Sequence, residues 1–155
     1  MSEPASPTAV SGPLEIRRAR SEDIPRLAEL ACQLGYPSSS GEVALRFEAV
    51  QKSREHAVFV AETSRREIAG WICMFIYRTL ESDTRAEISG LVVDENHRSR
   101  RVGERLLEKA EEWARENGCR STGLRSNVIR TRAHAFYERN GYEHYKTQKS
   151  FRKPI

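Results

Sequence analysis

The sequence predicts an α/β fold built on one mixed central sheet, and three observations lead there. Short apolar, β-branched runs alternate with segments whose apolar residues recur every three to four positions. One such run, Leu91 to Val93, passes through a basic loop into a helical pattern that begins within a residue or two of Arg101. That helix fills the chain between Val93 and Cys119, the kind of crossover that joins parallel strands with a right-handed connection. The order is β-α-α-β-β-β-α-β-α-β, with strands four and five parallel.

Taken in turn, Leu14 to Ala19 alternates apolar and charged residues and reads as the first strand. Ser21 is placed to cap the helix carrying Ile24, Leu27, Leu30, Ala31 and Leu34, which Gly35 ends. A loop from Tyr36 to Gly41 precedes a second helix, Glu42 to Lys52, burying Val43, Phe47 and Val50. Ala57 to Ala61 and Ile68 to Tyr77 are strands separated by the polar turn at Thr63 to Glu67. The turn at Glu81 to Thr84 returns the chain into the strand that ends at Val93, so these three strands are antiparallel neighbours. Asn117-Gly118 closes the crossover helix, and Cys119 to Ser126 is strand five. A short helix with Ala133, Phe136 and Tyr137 stops at Asn140-Gly141, and Tyr142 to Phe151 is read as a final strand.

With 155 residues, 38% hydrophobic and 31% charged, the chain suits one folded domain over residues 14–155. Met1 to Pro13, rich in Ser, Pro and Ala without a hydrophobic core, reads as a flexible leader rather than a signal peptide. The net charge of +4 suits anionic ligands, but the arginines are scattered, no basic groove is interleaved with aromatics, and nucleic acid is not expected. No run approaches membrane-spanning length. Cys32, Cys73 and Cys119 are odd in number and far apart, which fits a reduced, cytoplasmic protein without a metal site.

The most informative stretch is Glu87 to Leu107: a buried strand, the turn Asp94-Glu95-Asn96-His97, then Arg98, Arg100 and Arg101 beside Gly103 at a helix start. The first turn of a helix has N–H groups without intrahelical partners, and its dipole is positive there. A phosphate at that position meets several donors at once, and arginines add charge-assisted hydrogen bonds. The competing reading is a solvated basic loop before a surface helix. Neither Gly-x-x-x-x-Gly-Lys-Ser/Thr nor Gly-x-Gly-x-x-Gly occurs, which disfavours P-loop and Rossmann sites. In open α/β sheets ligands bind beyond the carboxyl ends of parallel strands, here the mouth between strands four and five, which Tyr137 should also face.

Three motifs in order make the chain resemble the GNAT superfamily of acetyl-CoA-dependent N-acetyltransferases from about Ile16 to Phe151. The family loop Arg/Gln-x-x-Gly-x-Gly/Ala stands as Arg98-Ser99-Arg100-Arg101-Val102-Gly103, with Arg101 at the first glycine position. Ala133-His134-Ala135-Phe136-Tyr137-Glu138-Arg139-Asn140-Gly141-Tyr142 is similar to its Ala-x-x-Phe-Tyr-x-x-x-Gly-Phe/Tyr run, and Glu87-Ile88 with Leu91-Val92-Val93 precedes the loop. The resemblance implies splayed strands four and five that hold acetyl-CoA, its arm pairing with main-chain groups of Leu91 and Val93. The pyrophosphate would take N–H groups across Arg98, Ser99, Arg100, Arg101, Val102, Gly103 and Glu104. Asn127 is the polar residue carried over for the cofactor arm, although the family's asparagine more often stands where this chain has Arg130.

The implied reaction moves an acetyl group to a primary amine, small or on a protein, by direct attack in a ternary complex. An alkyl ammonium has a pKa of ~10.4, so a base must take its proton at neutral pH. Glu87 is the candidate base, through water, against the plain reading of an ion-paired glutamate at a strand start. Tyr137 is the candidate acid for the leaving thiolate, against that of a core aromatic beside Phe136. The main-chain N–H of Val92 or Val93 is the candidate donor to the thioester oxygen. His97, His134, Trp71, Trp113 and Cys73 are read as loop, surface or packing residues, while Glu42, Glu81 and Asp83 lean toward a cationic acceptor. The alternative function is a non-catalytic acyl-CoA-binding or regulatory module. The assembly expected is a monomer or homodimer.

Overall fold

The computed structural model describes residues 12–98 and 100–155. The leader expected over residues 1–13 lies outside them as far as residue 11, and so does Ser99. The chain divides into two compact units, the larger ending at Leu124 and the smaller running from Arg125 to Ile155.

In the larger unit five strands form one sheet in the order β1-β2-β3-β4-β5. They are β1 (Glu15–Arg18), β2 (His56–Glu62), β3 (Ile68–Tyr77), β4 (Arg85–Val93) and β5 (Thr122–Leu124). The first four run antiparallel to their neighbours, and β4 runs parallel to β5. The helices are α1 (Ile24–Leu34), α2 (Ser40–Lys52) and α3 (Val102–Glu116). Leu27 and Leu30 of α1 and Phe47 of α2 pack with Val60, Val92 and Trp71 on one face. Helix α3 buries Leu106, Leu107, Ala110 and Trp113, and its Leu106 lies against Gly70 on the opposite face. Each helix stripe has the period that one-sided burial requires.

Local chemistry departs from expectation at the first helix. Ser21 does not cap it; Ser21–Asp23 form a 3-10 turn, and the Asp23 carboxylate accepts the Arg20 N–H at 2.7 Å. Arg17 explains the choice, because its guanidinium donates to both oxygens of Asp23 (2.8 and 3.0 Å) and to Glu62 at 2.5 Å. A carboxylate so held replaces a hydroxyl cap. Gly35 ends α1 at φ 97°, as expected. Helix α2 starts two residues earlier than expected because Ser39 and Glu42 cap each other's N–H groups at 3.2 and 2.8 Å. Glu42 therefore serves as a cap.

The register of β4 contains the feature that shapes the site. Gly90 pairs with Cys73 and Ile88 with Met74, so Ser89 is an extra residue, a β-bulge. A bulge bends its strand and raises its twist. The ladder to β5 covers only Ala86, Glu87 and Ile88 and stops directly before the bulge. Beyond it, from Ser89 to Val93, no pairing with β5 is recorded among the described residues. The bulge also shifts side-chain phase, bringing Glu87, Gly90 and Val92 onto the face that carries α1 and α2. Gly90 is required there, because a Cβ would sit 2.8 Å from the Trp71 ring.

The smaller unit holds α4 (Thr131–Arg139), ended by Asn140 and by Gly141 at φ 86°. The final strand expected over Tyr142 to Phe151 is not formed; residues 142–155 belong to no strand. Tyr145 and Phe151 are 72% and 91% exposed, so the segment buries no apolar face that would reward ordering it into a ladder within the single chain.

Candidate active site

Glu87 lies in the stretch of β4 still paired to β5. It is 6% exposed, and its carboxylate accepts the Arg85 Nε–H at 3.0 Å. Arg85 in turn stacks over the Tyr77 ring, 4.2 Å from its centroid. Gly123, opposite Glu87 on β5, leaves room for this pair; a Cβ would come within 3.3 Å of both side chains. Glu87 is thus an ion-paired glutamate with a fixed orientation, on the same face as Phe75, its cross-strand partner.

Past the bulge, the backbone polarity follows from one bond. The Asp94 N–H donates to Ala69 of β3 at 2.8 Å. Successive strand N–H groups point to opposite edges, so Val92 also faces β3 while Leu91 and Val93 face the β5 side. Of the two N–H groups considered for the thioester oxygen, that of Val93 points to the β5 side and that of Val92 to β3, and the Val92 side chain is buried in the core at 5% exposure.

The basic loop runs into the first turn of α3. The Arg105 N–H makes a helical bond to Arg101 at 3.0 Å, leaving Val102, Gly103 and Glu104 among the first-turn donors. Arg101 caps the helix in the left-handed region (φ 60°, ψ 16°), which explains why glycine suits this position in the GNAT loop. Its guanidinium forks onto the Glu104 carboxylate (2.7 and 3.0 Å), offsetting a negative charge at the helix start. Arg98 is exposed and Arg100 half-buried. Replacing Arg101 by glycine is expected to raise the melting temperature by a few degrees, and replacing it by valine to lower it, since a β-branched residue tolerates positive φ worst. A thermal scan of the two variants decides; a fall for both refutes the backbone argument.

Asp94 is the residue that sequence reasoning passed over. It is 4% exposed and accepts hydrogen bonds from Arg26, from Gln33 at 3.3 Å and from the Asn96 N–H at 3.2 Å. Burial pushes its carboxyl pKa up, but the Asn96 N–H, Arg26 and Gln33 outweigh this and hold it below the usual range. His97, expected to be a solvated loop residue, sits instead between Asp94 (3.3 Å) and Glu67 (3.8 Å). The network ties α1 to the turn that leads into the basic loop. Together with Arg17, Asp23 and Glu62 it walls an open basin of about 810 Å³. That basin contains neither Glu87 nor the open edge of β4, and its named charges serve one another, so it is read as an anchor and not as the reaction centre.

In the smaller unit, the Tyr137 ring meets Phe136 and Tyr142 edge-on at 5.3 and 5.8 Å. Burial pushes the Tyr137 hydroxyl pKa above its ordinary value, partly offset by the positive charge of Arg130. Asn127 spends its side-chain oxygen on the Ile129 N–H at 3.1 Å, an Asx turn leading toward α4. His134 is half-buried and contacts the Asn127 carbonyl at 2.9 Å through Nε2. Among the described residues no cluster of His, Cys, Asp or Glu is arranged to hold a metal, and no helix is long and apolar enough to cross a membrane. Cys73 is half-buried and burial pushes its thiol pKa up, the opposite of an activated nucleophile.

Comparison with known proteins agrees with this fold. Residues 18–142 match the acetyltransferase (GNAT) family. The aminoalkylphosphonate N-acetyltransferase of Salmonella typhimurium is 29% identical over 130 residues, spanning 83% of this chain and 84% of that protein. Among solved structures, the aminoglycoside N-acetyltransferase AAC(6')-Iy in complex with CoA superposes with a TM-score of 0.84 at 18% identity, covering 96% of this chain and 99% of that one. Glucosamine-6-phosphate N-acetyltransferase from Arabidopsis thaliana gives 0.77 at 23% identity, covering 90% and 98%. At those identities the structural likeness speaks for the fold.

Proposed function

This chain belongs to the acetyltransferase (GNAT) family, and from that premise we propose that it acetylates a small primary amine by direct attack, with amine and acetyl-CoA bound together. Acetyl-CoA supplies an activated acyl group on a thiol leaving group. The observation that carries the reading is the parting of β4 from β5 at the Ser89 bulge, beside the amino end of α3. Main-chain groups of Leu91 and Val93, turned away from β3, suit an extended amide-bearing arm as an added strand would. The first-turn N–H groups of α3 with Arg98 and Arg100 suit a pyrophosphate, and Asn127 is the further polar contact proposed for the arm.

Glu87 takes the ammonium proton through a water, and Arg85 holds its carboxylate in place. Tyr137 gives a proton to the departing thiolate; its raised pKa keeps the phenol protonated across the neutral range. The Val93 N–H steadies the thioester oxygen. For the acceptor we favour an amine that also carries an acidic group, such as an aminoalkylphosphonate. Two things support this: the 29% identical relative, and the Arg85 guanidinium beside Glu87 on the same face.

The test is release of free CoA thiol from acetyl-CoA over a panel of aminoalkylphosphonates, aminoglycosides, polyamines, amino acids and a lysine peptide. Turnover is expected with the first class at the lowest KM. Turnover with none of them, in protein that binds acetyl-CoA, would sink the catalytic reading in favour of a binding module.

A further inference from the structure

In the proposed cofactor site the start of α3 acts through main-chain N–H groups, and the side chains of Arg101 and Glu104 are engaged with each other. The Arg101 guanidinium forks onto the Glu104 carboxylate, Nε to Oε2 at 2.7 Å and Nη2 to Oε1 at 3.0 Å. Both side chains reach solvent, at 70% and 36% exposure. Glu108, one turn further along α3, lies 3.9 Å from Arg105 and adds a weaker pull on Arg101. Stability does not account for this arginine. Among the described residues only Arg66 and Arg101 hold positive φ without being glycine, and an accessible ion pair returns little against that strain. Nor does a carboxylate in the first turn of a helix need a cation, because the dipole already favours it there. What the pair does change is the charge that an incoming anion meets. Alone, Glu104 would set a negative charge at the helix end that offers its N–H groups to a diphosphate. Clasped by Arg101, the two side chains sum to zero.

We propose that Arg101 and Glu104 together set the affinity of this helix end for the diphosphate of the cofactor. Glu104 repels it, Arg101 cancels most of the repulsion, and the fork keeps Arg101 from gripping the diphosphate outright. CoA leaves with the same diphosphate that acetyl-CoA brings. A lone arginine would hold substrate and product alike, whereas a neutral pair lets the product go. The inference rests on the diphosphate lying at the start of α3, and its test separates the two.

That test is titration calorimetry of the full chain with CoA and with dephospho-CoA, which keeps the diphosphate and lacks the 3′-phosphate. Glu104→Gln frees Arg101 and is expected to tighten both ligands about three- to fivefold at low salt. Arg101→Gly is expected to weaken both by a similar factor, although glycine suits the backbone there better. Both changes should fade between about 0.1 M and about 1 M salt, as the screening length falls from about 10 Å to about 3 Å. Glu104→Gln that binds CoA no tighter than native overturns the pair, and so does Arg101→Gly that binds it no weaker. Changes that ignore salt, or that dephospho-CoA does not share, also count against it. A native chain that binds neither ligand overturns the cofactor reading itself; native binding with unmoved variants overturns the pair alone.

Discussion

Replacing Tyr137 by phenylalanine is expected to lower kcat by about 100- to 10,000-fold, the usual worth of a positioned general acid, while acetyl-CoA binds as before. The substitution removes one oxygen and leaves the ring contacts to Phe136 and Tyr142 at 5.3 and 5.8 Å, so folding is not at stake. The pH profile supplies the second readout. Burial raises the phenol pKa, with Arg130 offsetting part of the rise, and the acid acts in its protonated form. Native activity should therefore persist through the neutral range and fall only above the ordinary tyrosine value of ~10. The variant should lack that alkaline limb. A kcat within a few-fold of native, with the limb intact, would remove Tyr137 from the reaction and leave it as a packing aromatic.

Asp94→Ala carries the largest expected cost in stability, about 3 kcal/mol, because it leaves Arg26 without its buried partner and opens a hole among three donors. For a chain of this size that is a drop in melting temperature of roughly 6–12 °C. The loss should reach the cofactor as well, since Asp94 fixes the turn feeding the Arg98–Gly103 loop, so affinity for acetyl-CoA should weaken while any residual kcat stays near native. The sign of the pH dependence follows from linkage. The Asp94 carboxyl is held low, and so is that of Asp23, where burial is outweighed by hydrogen bonds from Arg17 and from the Arg20 N–H. A carboxyl depressed on folding contributes stability above its unfolded pKa of ~3.9, and that contribution is lost as pH falls through the folded value. Native protein should therefore lose stability steeply below about pH 4, and Asp94→Asn should show a shallower acid slope. Equal slopes for the two proteins would mean that the network is not what titrates.

Much of the candidate site could be named from residue types in order. The basic loop before α3, Glu87 near the start of β4 and Tyr137 on α4 each lie inside a short motif through which the sequence resembles the family, and each is proposed for the site on that ground. His97 and Asp94 could not be read in this way. Asp94 is one polar residue in a turn until Arg26 and Gln33, 68 and 61 positions away in the chain, close on it. The Ser89 bulge is likewise invisible along one strand, because register is a property of two strands, and only the pairing with β3 reveals the extra residue. Tyr142 to Phe151 shows the reverse error: a sound strand pattern that finds no ladder in the single chain.

The sequence by itself determined the succession of elements from β1 to α4, because helix and strand periods and glycine stops are local: Leu27 and Leu30 on one helical stripe, Gly35 and Gly141 at positive φ, and the apolar run into Val93. The tertiary structure alone decided where β4 leaves β5, which N–H groups of Leu91, Val92 and Val93 look outward, and what holds the turn before the basic loop. Each of those depends on contacts between residues far apart in the chain, whose energy exists only once packing has brought them together.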